Sequence, residues 1–176
     1  DDTAFMKVYP LHEQIEISDL KKYFNRFMVK DFVKSVKGTE FPNFFDVSIA
    51  QEEFDDWMEV FYQYRGDLLT GGICIKEFLR LKFYGERPNE YRAFYANGEI
   101  VSICKNSGQK NFTQEPPKEF VEKHKNLPSI YYTVDFAELA DGTWKVLEAG
   151  DGSVSGLSEF QDAEQYFRAL YYALND

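Results

Sequence analysis

Positive charge is scarce in this chain: 20 Lys and Arg stand against 30 Asp and Glu, for a formal charge of −10. That balance argues against generic binding to nucleic acid or to an anionic membrane, so any phosphate site has to be built locally. Cysteine is scarcer. Cys74 and Cys104 are the only two, without Cys-x-x-Cys spacing, so neither a disulfide framework nor a zinc site is suggested, and a reducing, cytoplasmic setting fits best. The only histidines, His12 and His124, stand in polar contexts and give little support to Ser-His-Asp or Cys-His chemistry. No run approaches the ~20 apolar residues of a membrane span, and no signal peptide is visible. Neither a GxxxxGK[ST] loop nor a GxGxxG loop is present, so the P-loop, dinucleotide-fold and protein-kinase readings fail on their motifs.

What the chain has in quantity is aromatic surface. With 17 Phe and 12 Tyr among 176 residues it reads as a heavily packed globular protein, either one domain or two small lobes. A short helix is expected from Ser18, and FMVKDFV at 27–33 reads as a strand. Ser48 and Gln51 form a capping box for a helix in which Phe54, Trp57, Met58, Phe61 and Tyr62 recur at helical spacing up to Arg65-Gly66. Strands are expected at 73–79, 91–96 and 99–105, the last two joined by Asn97-Gly98, a type I′ signal. Residues 106–129 are polar and read as a mobile surface excursion with a charged helix after Pro116-Pro117. A last helix places Ala163, Tyr166, Phe167, Leu170, Tyr171 and Leu174 on one stripe. Helices interspersed with antiparallel hairpins predict an α+β fold. The chain opens with Asp1-Asp2 rather than Met, and an upstream domain is expected to be missing.

The densest signal lies between Tyr131 and Leu157. Asp141-Gly142 reads as a two-residue turn between runs 130–139 and 143–149. Pairing Ala140 with Thr143 sets Leu139 opposite Trp144, Ala137 opposite Val146, and Asp135 opposite Glu148, all on one face, with Glu138 facing Lys145 on the other. Two carboxylates that meet directly across a sheet repel, so a compensating cation is expected, and a divalent metal with hard oxygen ligands is the natural one. The alternative is a frayed, wet sheet end, and a three-residue loop would shift the register.

Further candidates sit on three other strands. Lys30 interrupts an apolar strand and either escapes at an edge or points into a cleft, with Lys34 on the same face. Lys76 and Glu77 lie mid-strand in CIKEFLRL, ahead of Leu79. Glu90 and Arg92 project from one face, either to fix a guanidinium for an anionic ligand or as a surface ion pair. Together with the glycine-rich 150–156 turn these residues are the equipment of a magnesium-nucleotide site.

The order of these parts resembles an ATP-grasp domain. The likeness covers roughly residues 27–174 and is most specific in VDFAELADGTWKVLEAGDGSVSGL, with MVKDFV, IKEFL and EYR in support. It is most similar to the divergent clade that includes the eukaryotic cell-division-cycle protein assisting assembly of a translation initiation factor. The resemblance implies two lobes, here 1–72 and 73–176, each an antiparallel sheet with helices, and a nucleotide cleft between them. It implies that Lys30 reaches the phosphates and that backbone groups of Glu77 and Leu79 read adenine. Arg92 would contact phosphate as the catalytic candidate, Lys76 and Glu90 would serve as further cofactor contacts, and Asp135 and Glu148 would hold magnesium. Many ATP-grasp enzymes show Glu-x-Asn at the second metal position. Here Gly150 stands in the Asn place, and Asp151 or water would supply the missing oxygen. The activity implied is that of a magnesium-ATP-dependent carboxylate-amine ligase working through an acylphosphate, with an unidentified protein or peptide acceptor. The alternatives are an ATP-binding chaperone or assembly factor that does no ligation, and an interaction domain without nucleotide.

Overall fold

The computed structural model describes residues 2–110 and 112–175. Among them β1 is Met6–Tyr9, α1 Ile17–Leu20, β2 Arg26–Asp31, β3 Phe45–Asp46, α2 Gln51–Arg65 and β4 Ile73–Glu77. There follow β5 Phe83–Tyr84, β6 Arg87–Pro88, β7 Glu90–Ala96, β8 Glu99–Lys105, α3 Lys118–Glu122, β9 Tyr131–Glu138, β10 Trp144–Asp151 and α4 Ala163–Asn175. The chain forms two compact units. One is Ala4–Phe78; the other begins at Leu79 and includes Asp2 and Thr3. The division falls after Phe78 rather than at the expected 72/73 boundary, because β4 is a central strand of the first unit's sheet.

In the first unit the strand order is β1-β4-β2-β3, all antiparallel. Strict alternation along β2 turns Phe27, Val29 and Asp31 to the interior and Arg26, Met28 and Lys30 outward. Phe54, Met58 and Phe61 of α2 pack on the inward face of this sheet beside Phe27, Phe45, Ile73 and Ile75. Each side chain so buried contributes roughly 1.5–3 kcal/mol. The helical stripe is therefore core, as its period predicts, with Trp57 and Tyr62 half-buried at its margin. The expected capping box does not form. Ala50 occupies the N-cap, Ser48 Oγ donates to Asp46, and Gln51 instead accepts from the Ile17 N–H and donates to the Ile15 carbonyl.

The second unit carries a sheet of order β10-β9-β7-β8. One face packs Ala93, Tyr95, Val134, Phe136 and Val146 against Phe120 and Val121 of α3. The segment read as a mobile excursion is instead tied down. Tyr95 Oη donates to the Val121 carbonyl, Asn89 Nδ2 to the Gln114 carbonyl, and the Tyr91 and Thr113 hydroxyls meet at 2.7 Å. The Asn97-Gly98 turn has φ of 50° and 80°, the two positive values that a type I′ turn needs. Of the last helix's expected stripe only Tyr166 is buried, against Phe94 and Tyr131, while Phe167, Tyr171 and Leu174 are exposed. Among the described residues no helix is long and apolar enough to cross a membrane.

Candidate functional site

The hairpin joining β9 to β10 departs from its expected form and still delivers the expected pair. Its loop has three residues. Gly142 N–H bonds to the Leu139 carbonyl, Leu139 N–H bonds to the Thr143 carbonyl, and only Gly142 has positive φ, 85°. Asp141 accepts from the backbone N–H and hydroxyl of Thr143, which favours this turn over a type I′ one. The register is accordingly shifted by one: Trp144 faces Glu138, Lys145 faces Ala137 and Val146 faces Phe136. A bulge then places Leu147 as an extra residue, and Glu148 falls opposite Asp135.

The bulge also redistributes the faces. Trp144 and Val146 belong to the α3 side, not to the carboxylate side as the simple register had them. Glu138, expected as a surface partner of Lys145, is 2% exposed, and its carboxylate accepts from Lys82 Nζ at 2.8 Å and Asn89 Nδ2 at 2.9 Å.

On the other side of β9, Arg92 of β7 stands opposite Asp135. Its Nε and Nη2 donate to the two carboxylate oxygens of Asp135, each at 2.7 Å. The row Arg92, Asp135, Glu148 crosses three neighbouring strands, from the buried Asp135 to the exposed Glu148. The hydrogen bonds to Asp135 raise the Arg92 pKa above its already high ordinary value, and the charges of Glu148 and Glu90 add to this. The cation expected to relieve the Asp135 and Glu148 pair is thus supplied in part by the protein. Sequence reasoning placed Glu90 beside Arg92 but missed the Asp135 fork, because nothing local sets the β7 to β9 register.

Glu90 accepts from Asn106 Nδ2 at 3.0 Å. Asp151 is not brought to the pair. It lies opposite Tyr132, on the face away from Asp135 and Glu148, and its Oδ1 caps the 152–154 turn by accepting from the Ser153 N–H and hydroxyl. Among the described residues no group of three His, Cys, Asp or Glu is arranged to hold a metal unaided. Two opposed carboxylates nevertheless suit magnesium, which takes one or two protein carboxylates and completes its shell with water and phosphate oxygens. Asp135 keeps lone pairs for this, since a carboxylate has about four acceptor positions and Arg92 occupies two.

In the first unit, β2 pairing puts Lys30 opposite Cys74 and Met28 opposite Lys76. Lys30 and Lys76 are therefore diagonal neighbours on the outward face, with Cα atoms about 7–8 Å apart. Met6 and Val8 of β1 stand beside them and are 47% and 51% exposed, so the face combines two ammonium groups with apolar surface. β1 was not anticipated, since MKVY is too short to give a period. Lys34 is not on this face: β2 ends at Asp31, whose N–H bonds to the Lys34 carbonyl in a turn. The Glu77 N–H is committed to the Phe5 carbonyl, and Leu79 follows just beyond the strand.

Two antiparallel sheets with helices are the architecture that the resemblance to an ATP-grasp domain implies. The chain belongs to that superfamily, in the family described as ATP-grasp domain, R-2-K clade family 3, whose model matches residues 18–170. Solved structures share the fold at low identity. The D-alanine–D-alanine ligase of Bacillus anthracis, complexed with ATP, superposes with a TM-score of 0.60 at 18% identity, over 98% of this chain and 60% of that one. The ATP-grasp ligase PsnB, complexed with a precursor variant, Mg and ADP, gives 0.58 at 12%, over 98% and 54%. The D-cycloserine synthetase DcsG gives 0.56 at 13%, over 97% and 65%. The chain thus spans less than two thirds of the length of these proteins. No curated protein matches it by sequence.

Proposed function

We propose that this ATP-grasp domain binds magnesium-ATP and uses it to activate a carboxylate for attack by an amine. The observation that carries this reading is the Arg92, Asp135, Glu148 row in a chain of this family. Arg92, oriented by Asp135, offers its remaining N–H groups to a phosphate oxygen. Asp135 and Glu148 would be the residues that hold the magnesium. Bound there, the metal would offset charge on the transferring phosphoryl group. Lys30 and Lys76 neutralise phosphate charge, while backbone groups of Glu77 and Leu79 read the adenine edge.

The reaction transfers the γ-phosphoryl group to a carboxylate oxygen, releasing ADP. An amine then attacks the acyl carbon and phosphate leaves with the former carboxylate oxygen. The acceptor is proposed to be a peptide or protein, a reading supported by the likeness to PsnB, which has been complexed with its precursor peptide. The test is ADP release from the full chain with magnesium-ATP, with and without carboxylate and amine substrates. Release stimulated by both supports the ligase. Tight binding with no turnover for any pair assigns an ATP-dependent assembly factor instead.

A further inference from the structure

We infer that the buried ion pair between Asp31 and Arg65 is a positioning device for Lys30, an inference that rests on the reading of Lys30 as a phosphate contact. Asp31 is 0% exposed and Arg65 9%. Arg65 Nε donates to Asp31 Oδ2 at 2.7 Å, and its Nη2 donates to the Leu68 carbonyl at 2.9 Å. The other oxygen, Oδ1, accepts from the backbone N–H groups of Val33 and Lys34 at 2.8 and 2.6 Å. The ion pair therefore ties together the C-terminus of α2, the turn after it, the last residue of β2 and the turn at 31–34.

The location matters more than the strength. The β2 to β4 ladder ends at the Asp31 and Ile73 pair, so Lys30, opposite Cys74, is its penultimate position. Ladder ends fray, and a frayed penultimate residue has no fixed side-chain direction. Because the strand alternates, fixing Asp31 inward fixes Lys30 outward, onto the face shared with Lys76. Nothing in the hydrophobic core demands a charge here. A buried ion pair is commonly no more stabilising than well-packed apolar residues of the same size, which makes geometry the better explanation for its presence.

The experiment is a thermodynamic cycle on the full chain, with magnesium-ATP affinity by calorimetry and stability by urea unfolding. Lys30→Ala is expected to weaken ATP binding roughly 10- to 100-fold, the loss of one charge-assisted contact. Asp31→Asn, which keeps an acceptor for the two N–H groups but loses the charge facing Arg65, is expected to weaken it about tenfold. In the Lys30→Ala background the same change should leave ATP affinity where it was while still lowering the urea midpoint. A merely structural residue would not show that loss of effect. The pair Asp31→Asn with Arg65→Met, which keeps the acceptor for the Val33 and Lys34 N–H groups and removes the uncompensated guanidinium, serves if Asp31→Asn alone does not fold, and it should recover stability without recovering affinity. Wild-type affinity in a folded Asp31 variant, or losses that multiply with Lys30→Ala, would overturn the positioning role alone. Unchanged affinity in Lys30→Ala would overturn the phosphate reading, and the inference with it.

Discussion

Asp135 and Glu148 face each other across β9 and β10 because two departures from a regular hairpin cancel. A three-residue loop shifts the ladder by one, and the bulge at Leu147 shifts it back. The pair is not symmetric, since Asp135 is buried under Arg92 while Glu148 is exposed. The two carboxylates should therefore respond differently to neutralisation. Asp135→Asn should weaken magnesium-ATP binding and also cost about 1–3 kcal/mol of stability, by stripping a charged hydrogen-bond partner from Arg92. Glu148→Gln should weaken binding with a smaller stability loss than Asp135→Asn, because Glu148 is exposed. Paired urea and calorimetric titrations check this. Equal stability losses would contradict the asymmetry.

Arg92→Lys is expected to behave as a disruptive change. An ammonium can replace the charge but cannot donate two parallel bonds to Asp135 while still offering donors to a ligand. ATP affinity should fall roughly tenfold or more, at a cost of about 1–2 kcal/mol in stability. A lysine variant that binds ATP like the wild type would show that only the charge matters.

How much of this was legible in the chain follows the range of the interactions. Because burial of one face acts locally, the β-forming run at 27–33 and the helical pattern in 54–62 identified β2 and α2, although β2 ends at Asp31. The Asn97-Gly98 turn was also read correctly, as its dihedrals are a property of two residues. Asp141-Gly142 misled, because Thr143 supplies two donors to Asp141 and stabilises a longer loop. The opposition of Asp135 and Glu148 was anticipated by a register that holds only beyond the bulge. The Arg92 fork and the Asp31 and Arg65 pair depend on partners 43 and 34 residues away, and no local signal encodes them.

The glycine-rich turn after β10 yields a steric prediction. A Cβ on Gly152 would lie 2.6 Å from the ring of Tyr131, whose hydroxyl is bonded to Tyr166, so the ring has little room to yield. Gly152→Ala should cost about 1–3 kcal/mol. A Cβ on Gly156 meets nothing within 4 Å, and Gly156→Ala should change stability by less than about 0.5 kcal/mol. Thermal unfolding of the two variants side by side is the check.

Acid should expose the role of Asp31. Burial pushes its pKa up, but the Lys34 N–H, the Arg65 guanidinium and the Val33 N–H together outweigh this and hold it below the ordinary carboxylate value. A depressed pKa stabilises the fold above the unfolded value of about 3.9, and that contribution disappears as pH falls through the folded value. Urea midpoints between pH 7 and pH 3 should therefore fall less steeply for Asp31→Asn than for the wild type below about pH 4. Parallel curves would contradict this.

The most direct test is calorimetric titration of the chain with ATP in the presence and absence of magnesium, repeated on Glu148→Gln. A saturable heat that requires magnesium and is lost or strongly weakened in the variant is the predicted result. No binding under either condition, or the same affinity with and without magnesium in both proteins, would contradict the assignment of Asp135 and Glu148 as the metal-holding pair.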